Sequence, residues 1–156
     1  MIVLHIMYRK GVSALIINKN KEFILVNLTS FEEKFFAIPG GGIEKGENLE
    51  EAAYREIQEE LGIKPTSLEL VGRAKRPLCV TFKTPKVNNE GKEYLGSERN
   101  FFGFKFNGED EEIKLAENEV RAYKWVPFSE LYKYLLFDHQ LEETSSKILE
   151  LFPQFK

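Results

Sequence analysis

The chain has very little cysteine or histidine: of 156 residues one is Cys and two are His. A lone Cys79 excludes an intramolecular disulfide and points to a reducing compartment, and nothing about it favours a reactive thiol over a small core residue. Long apolar runs are missing too. No stretch approaches membrane-spanning length, and Met1–Met7 is apolar but too short and wrongly flanked for a secretory signal, so no membrane partner and a cytoplasmic location are expected. No internal repeat and no linker divides the sequence, which is long enough for one domain with a sizeable core and too short for two ordinary ones; the expectation is a single domain over 1–156. A strong charge of one sign is also lacking. A formal net charge of −3 argues against a large phosphate-backbone footprint.

What the chain does have is aromatic and acidic. Phe accounts for 13 residues, enough to fill a core or line a cleft. Gly11–Ile17 and Phe23–Val26 are β-prone runs separated by a polar turn and read as a hairpin. Phe35–Ile38 reads as a short strand leading into Gly40-Gly41-Gly42. Further strands are expected at Ser67–Arg73, Pro77–Phe82, Arg99–Phe106 and Val120–Val126, the last containing Trp125. In Arg99–Phe106 the alternation puts Phe102, Phe104 and Phe106 on one face and Phe101 on the other, and these aromatics are expected in the core. Thr84–Ser97 has the most loop-like composition, and Glu109–Glu112 reads as a solvated acidic patch. Helical spacing recurs over Phe128–Phe137 and Gln140–Phe152, with Leu141, Ile148, Leu149 and Phe152 as core positions and His139 as a structural loop residue between them. Strands around one early helix, with helices at the end, give an α/β fold with a mixed sheet covered on both sides. Arg73, Lys75 and Arg76 leave two readings open, a solvated strand end or a phosphate-facing edge.

The early helix carries the densest signal. Asn48 with Glu51 three residues on forms a capping box, and Gly62 followed by Pro65 marks the stop. Leu49, Ala53, Ile57 and Leu61 make one apolar stripe, and Glu56, Glu59 and Glu60 border it, while Glu51, Arg55 and Gln58 fall on the side expected to see water. Acidic side chains at this spacing repel one another, and the last turn of a helix disfavours negative charge. One account is a solvated face with an Arg55–Glu59 ion pair. The other is a hard divalent cation, Mg²⁺ or Mn²⁺ as its substitute, held by carboxylates together with the phosphates of a ligand. The glycines at 40, 41, 42 and 46 favour the second, since they let backbone groups approach an ion or a phosphate.

Gly41, Glu47, Arg55-Glu56-Ile57, Glu59-Glu60 and Gly62-Ile63, at these spacings, match every fixed position of the Nudix box. A chance match at a given start is about one in 10⁹ at ordinary residue frequencies, and the chain resembles the Nudix hydrolases. The resemblance implies a Nudix-type α/β/α sandwich and a metal-dependent pyrophosphohydrolase that cleaves a diphosphate linked to another group X, by water attack at phosphorus. It implies metal ligation by Glu56, Glu59, Glu60 and the Gly40 carbonyl, substrate phosphates near Gly41 and Gly42, a helix-orienting role for Arg55, and support from Glu47 and Gly62. The stretch from Glu119 to Trp125-Val126, together with Tyr8-Arg9 and Ala53–Glu56, is similar to the branch of bacterial RNA pyrophosphohydrolases and dinucleoside polyphosphate hydrolases. That branch carries one more Glu that serves metal binding or base catalysis, placed here at Glu119 with Glu117 as its nearest rival.

The chain departs from the branch in three places. Gly40 replaces a Gln, Asn27-Leu28 replaces basic residues, and no Tyr stands in the positions soon after Val80 where diadenosine tetraphosphate hydrolases tend to carry one. Nucleoside triphosphates, dinucleoside polyphosphates and RNA 5′ ends all fit as substrates. A Nudix-fold nucleotide-binding module without catalysis is the alternative of another class, distinguished by eroded carboxylates; here the box is complete. Group X, the number of metals and the oligomeric state are not encoded in any motif.

Overall fold

The structure, a computed structural model, describes residues 8–156; the reading of Met1–Met7 lies outside the described residues. In chain order the elements are β1 (Tyr8–Ile17), β2 (Glu22–Leu28), β3 (Gly40–Gly42), α1 (Leu49–Leu61), β4 (Leu68–Arg73), β5 (Leu78–Val87), β6 (Glu93–Phe106), β7 (Val120–Pro127) and α2 (Gln140–Leu151). Among the described residues the strands form one mixed sheet in the order β4-β6-β1-β2-β7, with β3 paired to β1 and β5 to β6. β1 and β6 run parallel through ten residue pairs, and the other pairings are antiparallel.

Alternation along the central strands sorts their side chains onto two cores. Val12, Ala14 and Ile16 of β1 and Phe102, Phe104 and Phe106 of β6 pack with Ala53, Ile57 and Leu61 of α1. Leu15, Ile17 and Phe101 point the other way and pack with Ile148 and Phe152 around α2. The division of the phenylalanines expected from the sequence holds. Because β1 is covered on both faces, Val12–Ile17 is buried throughout. At the far edge, Trp125 stacks on Phe106 and donates to Asp110, and Glu112 accepts from Ser67. Glu109–Glu112 is therefore partly tied into the fold rather than simply solvated.

Other expectations change. Phe35–Ile38 makes only an isolated bridge, Ala37 to Val26; the strand is the glycine run itself, paired with Gly11–Ser13. A side chain at Gly40 would strike the Val12 carbonyl, so this close approach requires glycine. The expected loop Thr84–Ser97 lies within the hairpin of β5 and β6, turning where Asn88 accepts from the amides of Glu90 and Lys92 and Gly91 has φ +81°. Its polar composition reflects exposure on both faces. Cys79 is exposed on β5, not in the core. Phe128–Lys133 is a 3-10 turn rather than an α-helix, and α2 follows His139, whose φ is 64°. Leu149 stays outside both cores. No helix of the described residues is long and apolar enough to cross a membrane.

Candidate active site

α1 is fixed at both ends by the residues that its sequence suggested. Asn48 accepts from the Glu51 amide while Glu51 accepts from the Asn48 amide, and Gly62 ends the helix at φ 69° with its amide on the Gln58 carbonyl. Lys114 packs directly on Gly62, where an added Cβ would be crowded at 3.0 Å and strained by the positive φ. The Lys114 and Ala116 amides donate to the carbonyls of Leu61 and Glu60. The segment that leads to Glu119 is thereby docked on the C-terminal end of the acidic helix.

Arg55 does not face water as its helical position suggested. The long side chain folds back under the glycine strand, donating to both oxygens of Glu47 at 2.6 and 2.9 Å, to Glu56 at 2.8 Å, to Glu59 at 3.2 Å and to the Gly42 carbonyl at 2.8 Å. Glu47 also accepts from the Glu44 amide, and its hydrogen bond with Arg55 holds its carboxyl below the usual range. The guanidinium thus ties loop, strand and helix together.

Glu60 is buried and Glu56 is partly so, its side chain 13% exposed. Glu56 packs against Gly41, where a Cβ would lie 2.5 Å from the carboxylate. Glu60, only 7% exposed, accepts from the Gly40 amide at 2.9 Å. Burial pushes the Glu60 carboxyl up to about 7, against the pull of the Gly40 amide and with further push from Glu56. Burial also raises Glu56, opposed by Arg55. The charge of Glu119, an exposed residue, adds a smaller push upward on both groups. Glu59 differs from its neighbours: its side chain is 54% exposed and engages Arg55 from the solvent side.

Among the described residues no group of three or more His, Cys, Asp or Glu is closed around a common metal position. The donor set nevertheless suits a hard cation. Two largely buried carboxylates against a glycine strand repel one another unless protonated or neutralised by a positive ion. The sign of the pH effect follows. Glu60 titrates near 7 in the folded chain and at about 4.5 when unfolded, so the favourable contribution of its protonated form is complete below 4.5. It is lost as pH rises through 7, an effect of about 3 kcal/mol. Denaturation of metal-free protein should give a lower midpoint at pH 8 than at pH 5, and Mg²⁺ should oppose the loss at pH 8.

An apolar cleft of about 390 Å³ is walled by Phe31, Phe82, Phe101 and Phe137 and lined also by Arg99, whose guanidinium lies beside Gly40. Asn27, where the sequence departs from its branch, builds one wall. It is buried and donates to the carbonyls of Glu33 and Phe35, holding the loop that carries Phe31. Arg99 lies on the cleft floor. It is partly buried, and its guanidinium donates to the Ser13 hydroxyl at 2.7 Å and feels the charge of Glu60. Sequence reading missed Arg99; the signal was a charge at a position sharing the inward face of Phe101. None of the basic trio lines this cleft. Arg73 donates to Asn100 and stands over Phe102, while the Lys75 amide donates to Glu150 and the Arg76 carbonyl accepts from Lys147 on α2.

A family model described as the NUDIX domain matches residues 7–152. The RNA pyrophosphohydrolase of Pelagibacter ubique is 30% identical over 152 residues, covering 92% of this chain and 92% of that protein. The RNA pyrophosphohydrolase of a Nitratiruptor species is 30% identical over 151 residues, with 93% of each covered. Among solved structures, the C. elegans Ap4A hydrolase binary complex superposes with a TM-score of 0.70 at 24% identity, covering 94% of this chain and 96% of that one. The E. coli dihydroneopterin triphosphate pyrophosphohydrolase gives 0.69 at 18% identity, covering 92% and 99%; these two share the fold. With the acidic helix docked on its glycine strand and the family model spanning nearly its whole length, the chain belongs to the Nudix hydrolase family.

Proposed function

We propose that this protein is a divalent-metal-dependent pyrophosphohydrolase that cleaves a diphosphate linkage in a nucleotide carrying a further group X. The observation that carries the reading is the buried Glu60 and the partly buried Glu56 set against Gly40 and Gly41, with Arg99 between Gly40 and a cleft with aromatic walls. Glu56 and Glu60 would hold Mg²⁺, or Mn²⁺ in its place, with Glu59 and the Gly40 carbonyl as further oxygen ligands; when bound, the ion would supply charge neutralisation at the diphosphate and acidify water. Arg55 aims Glu56 and the Gly40 amide aims Glu60, each favouring the charged form against the burial that raises both carboxyls. Arg99 faces a phosphate of the bound nucleotide from the cleft floor. The amides of Gly41 and Gly42 lie along the same edge.

In the reaction the oxygen of water bonds to phosphorus, the bridging phosphorus–oxygen bond breaks, and its electron pair leaves with the departing phosphate. Glu119 takes the proton of the attacking water. Glu119→Gln should therefore lower kcat by about 10²-fold or more, with Glu117→Gln within about twofold of the unchanged protein. Steady-state kinetics on purified variants of unchanged thermal midpoint checks this, and the reverse ranking would move the base to Glu117.

A second reading, the 5′-triphosphorylated end of RNA as substrate, is favoured by the relatives named RNA pyrophosphohydrolase. A panel of nucleoside triphosphates, nucleotide sugars, dinucleoside polyphosphates and triphosphorylated RNA, each with Mg²⁺ and with Mn²⁺, separates the two. Absence of turnover on every member, with binding retained, would leave a nucleotide-binding module.

A further inference from the structure

A second cavity begins where the glycine strand ends. It is a groove of about 920 Å³ between the segment after β3 and the β5–β6 hairpin, and its cations are Arg9, Lys45, Lys86 and Lys92. In a chain of net charge −3 this concentration is local. The groove's acids are Glu44 and Glu90, and Glu44 is already paired with Arg55 at 3.2 Å. Aromatic rings alternate with the cations. The Lys86 ammonium lies 4.6 Å from the Phe82 ring centre and that of Lys92 lies 5.5 Å from Tyr94.

The groove is continuous with the candidate active site in two ways. The Arg9 guanidinium packs on Gly42, where a side chain would displace it, and Phe82 lines both the groove and the apolar cleft. The hairpin is anchored at its base by a 2.6 Å hydrogen bond between Tyr8 and Thr81. A mononucleotide seated in the cleft, with its phosphates at the glycine strand, would leave the groove unused. A cationic track interleaved with aromatic rings is what a single strand requires, since its phosphates seek positive charge and its unpaired bases seek rings to stack on.

We infer that the groove under the β5–β6 hairpin seats the single-stranded nucleotides that follow a 5′ polyphosphate, so that the substrate is a polynucleotide end rather than a free nucleotide. This rests on the hydrolase reading and names its substrate class. Lys86 and Lys92 contact phosphates, Phe82 and Tyr94 stack on bases, and Arg9 stands where the strand enters from the glycine edge.

The test is binding without metal, so that no turnover intervenes. The probes are a short single-stranded oligoribonucleotide with a 5′-monophosphate and the matching free 5′-mononucleotide. The oligomer should bind at least about tenfold tighter, the equivalent of one stacked base. Its dependence on salt should weaken by about 1.4 in logarithmic slope in the double variant Lys86→Gln/Lys92→Gln, since each lost phosphate contact contributes about 0.7. Both lysines are exposed, and Lys86→Gln and Lys92→Gln, each alone, provide variants should the pair perturb the hairpin. Equal affinity for oligomer and mononucleotide, or an unchanged slope in all three variants, overturns the proposal. The two readings fail separately. Tight oligomer binding without metal-dependent cleavage would remove the hydrolase assignment and keep the groove, whereas cleavage of free nucleotides with no preference for the oligomer would do the opposite.

Discussion

Glu60→Gln should lower Mg²⁺-dependent turnover by at least about 10²-fold while leaving the protein folded, because it removes a ligand charge where transition-state charge is neutralised. Gln keeps an oxygen for the Gly40 amide, so the contact at 2.9 Å need not be lost. Without metal the variant should be more stable than the unchanged protein at pH 8, since a buried carboxylate that resists ionisation is gone. The difference should shrink at pH 5, where Glu60 is protonated. Kinetics at saturating metal, with denaturation at both pH values, check the two halves together. A variant that unfolds yet keeps its activity per folded molecule would mean that Glu60 serves the fold and not the chemistry.

The largest effect on stability is expected from Arg55→Met. The guanidinium satisfies Glu47 twice, Glu56 once and the Gly42 carbonyl once. Its loss leaves two largely buried carboxylates, 14% and 13% exposed, without their cation. Breaking such an arrangement from one side costs about 3 kcal/mol, which for a chain of this size lowers the thermal midpoint by roughly 6–12 °C. Adding Glu47→Gln should recover part of that loss, because one stranded charge disappears with it. Metal affinity at neutral pH should fall as well, since Glu56 would then protonate more readily. Calorimetry of the single and double variants gives the answer; a loss below about 1 kcal/mol would place the network among ordinary surface ion pairs.

The parts of this fold that sequence made legible are those set by local physics. Asn48, Glu51 and Gly62 bound α1 through contacts within a turn of themselves, and alternation in β6 alone separates Phe101 from Phe102 and Phe104. What sequence hid depends on distant partners. Gly40–Gly42 reads as a loop because its strand character comes from Gly11–Ser13. Within the β5–β6 hairpin only Thr84–Ser97 reads as a loop, because β5 meets solvent on both faces and its residues there are polar without alternation. Arg55 sits on the water side by helical period, yet its side chain is long enough to turn back to Glu47 and Gly42. Arg99 gave no motif, being one charge among phenylalanines, and gains meaning only when β1 brings Ser13 and α1 brings Glu60 beside it.

The most direct test of the metal-site account is anomalous diffraction from a crystal grown with Mn²⁺ and a non-hydrolysable nucleotide polyphosphate. The expected result is a manganese peak coordinated by the carboxylates of Glu56 and Glu60 beside Gly40, with phosphate oxygens completing its shell. A nucleotide bound in the cleft with no manganese at Glu56 or Glu60, or manganese only at the outlying acids Glu109–Glu111, would contradict it.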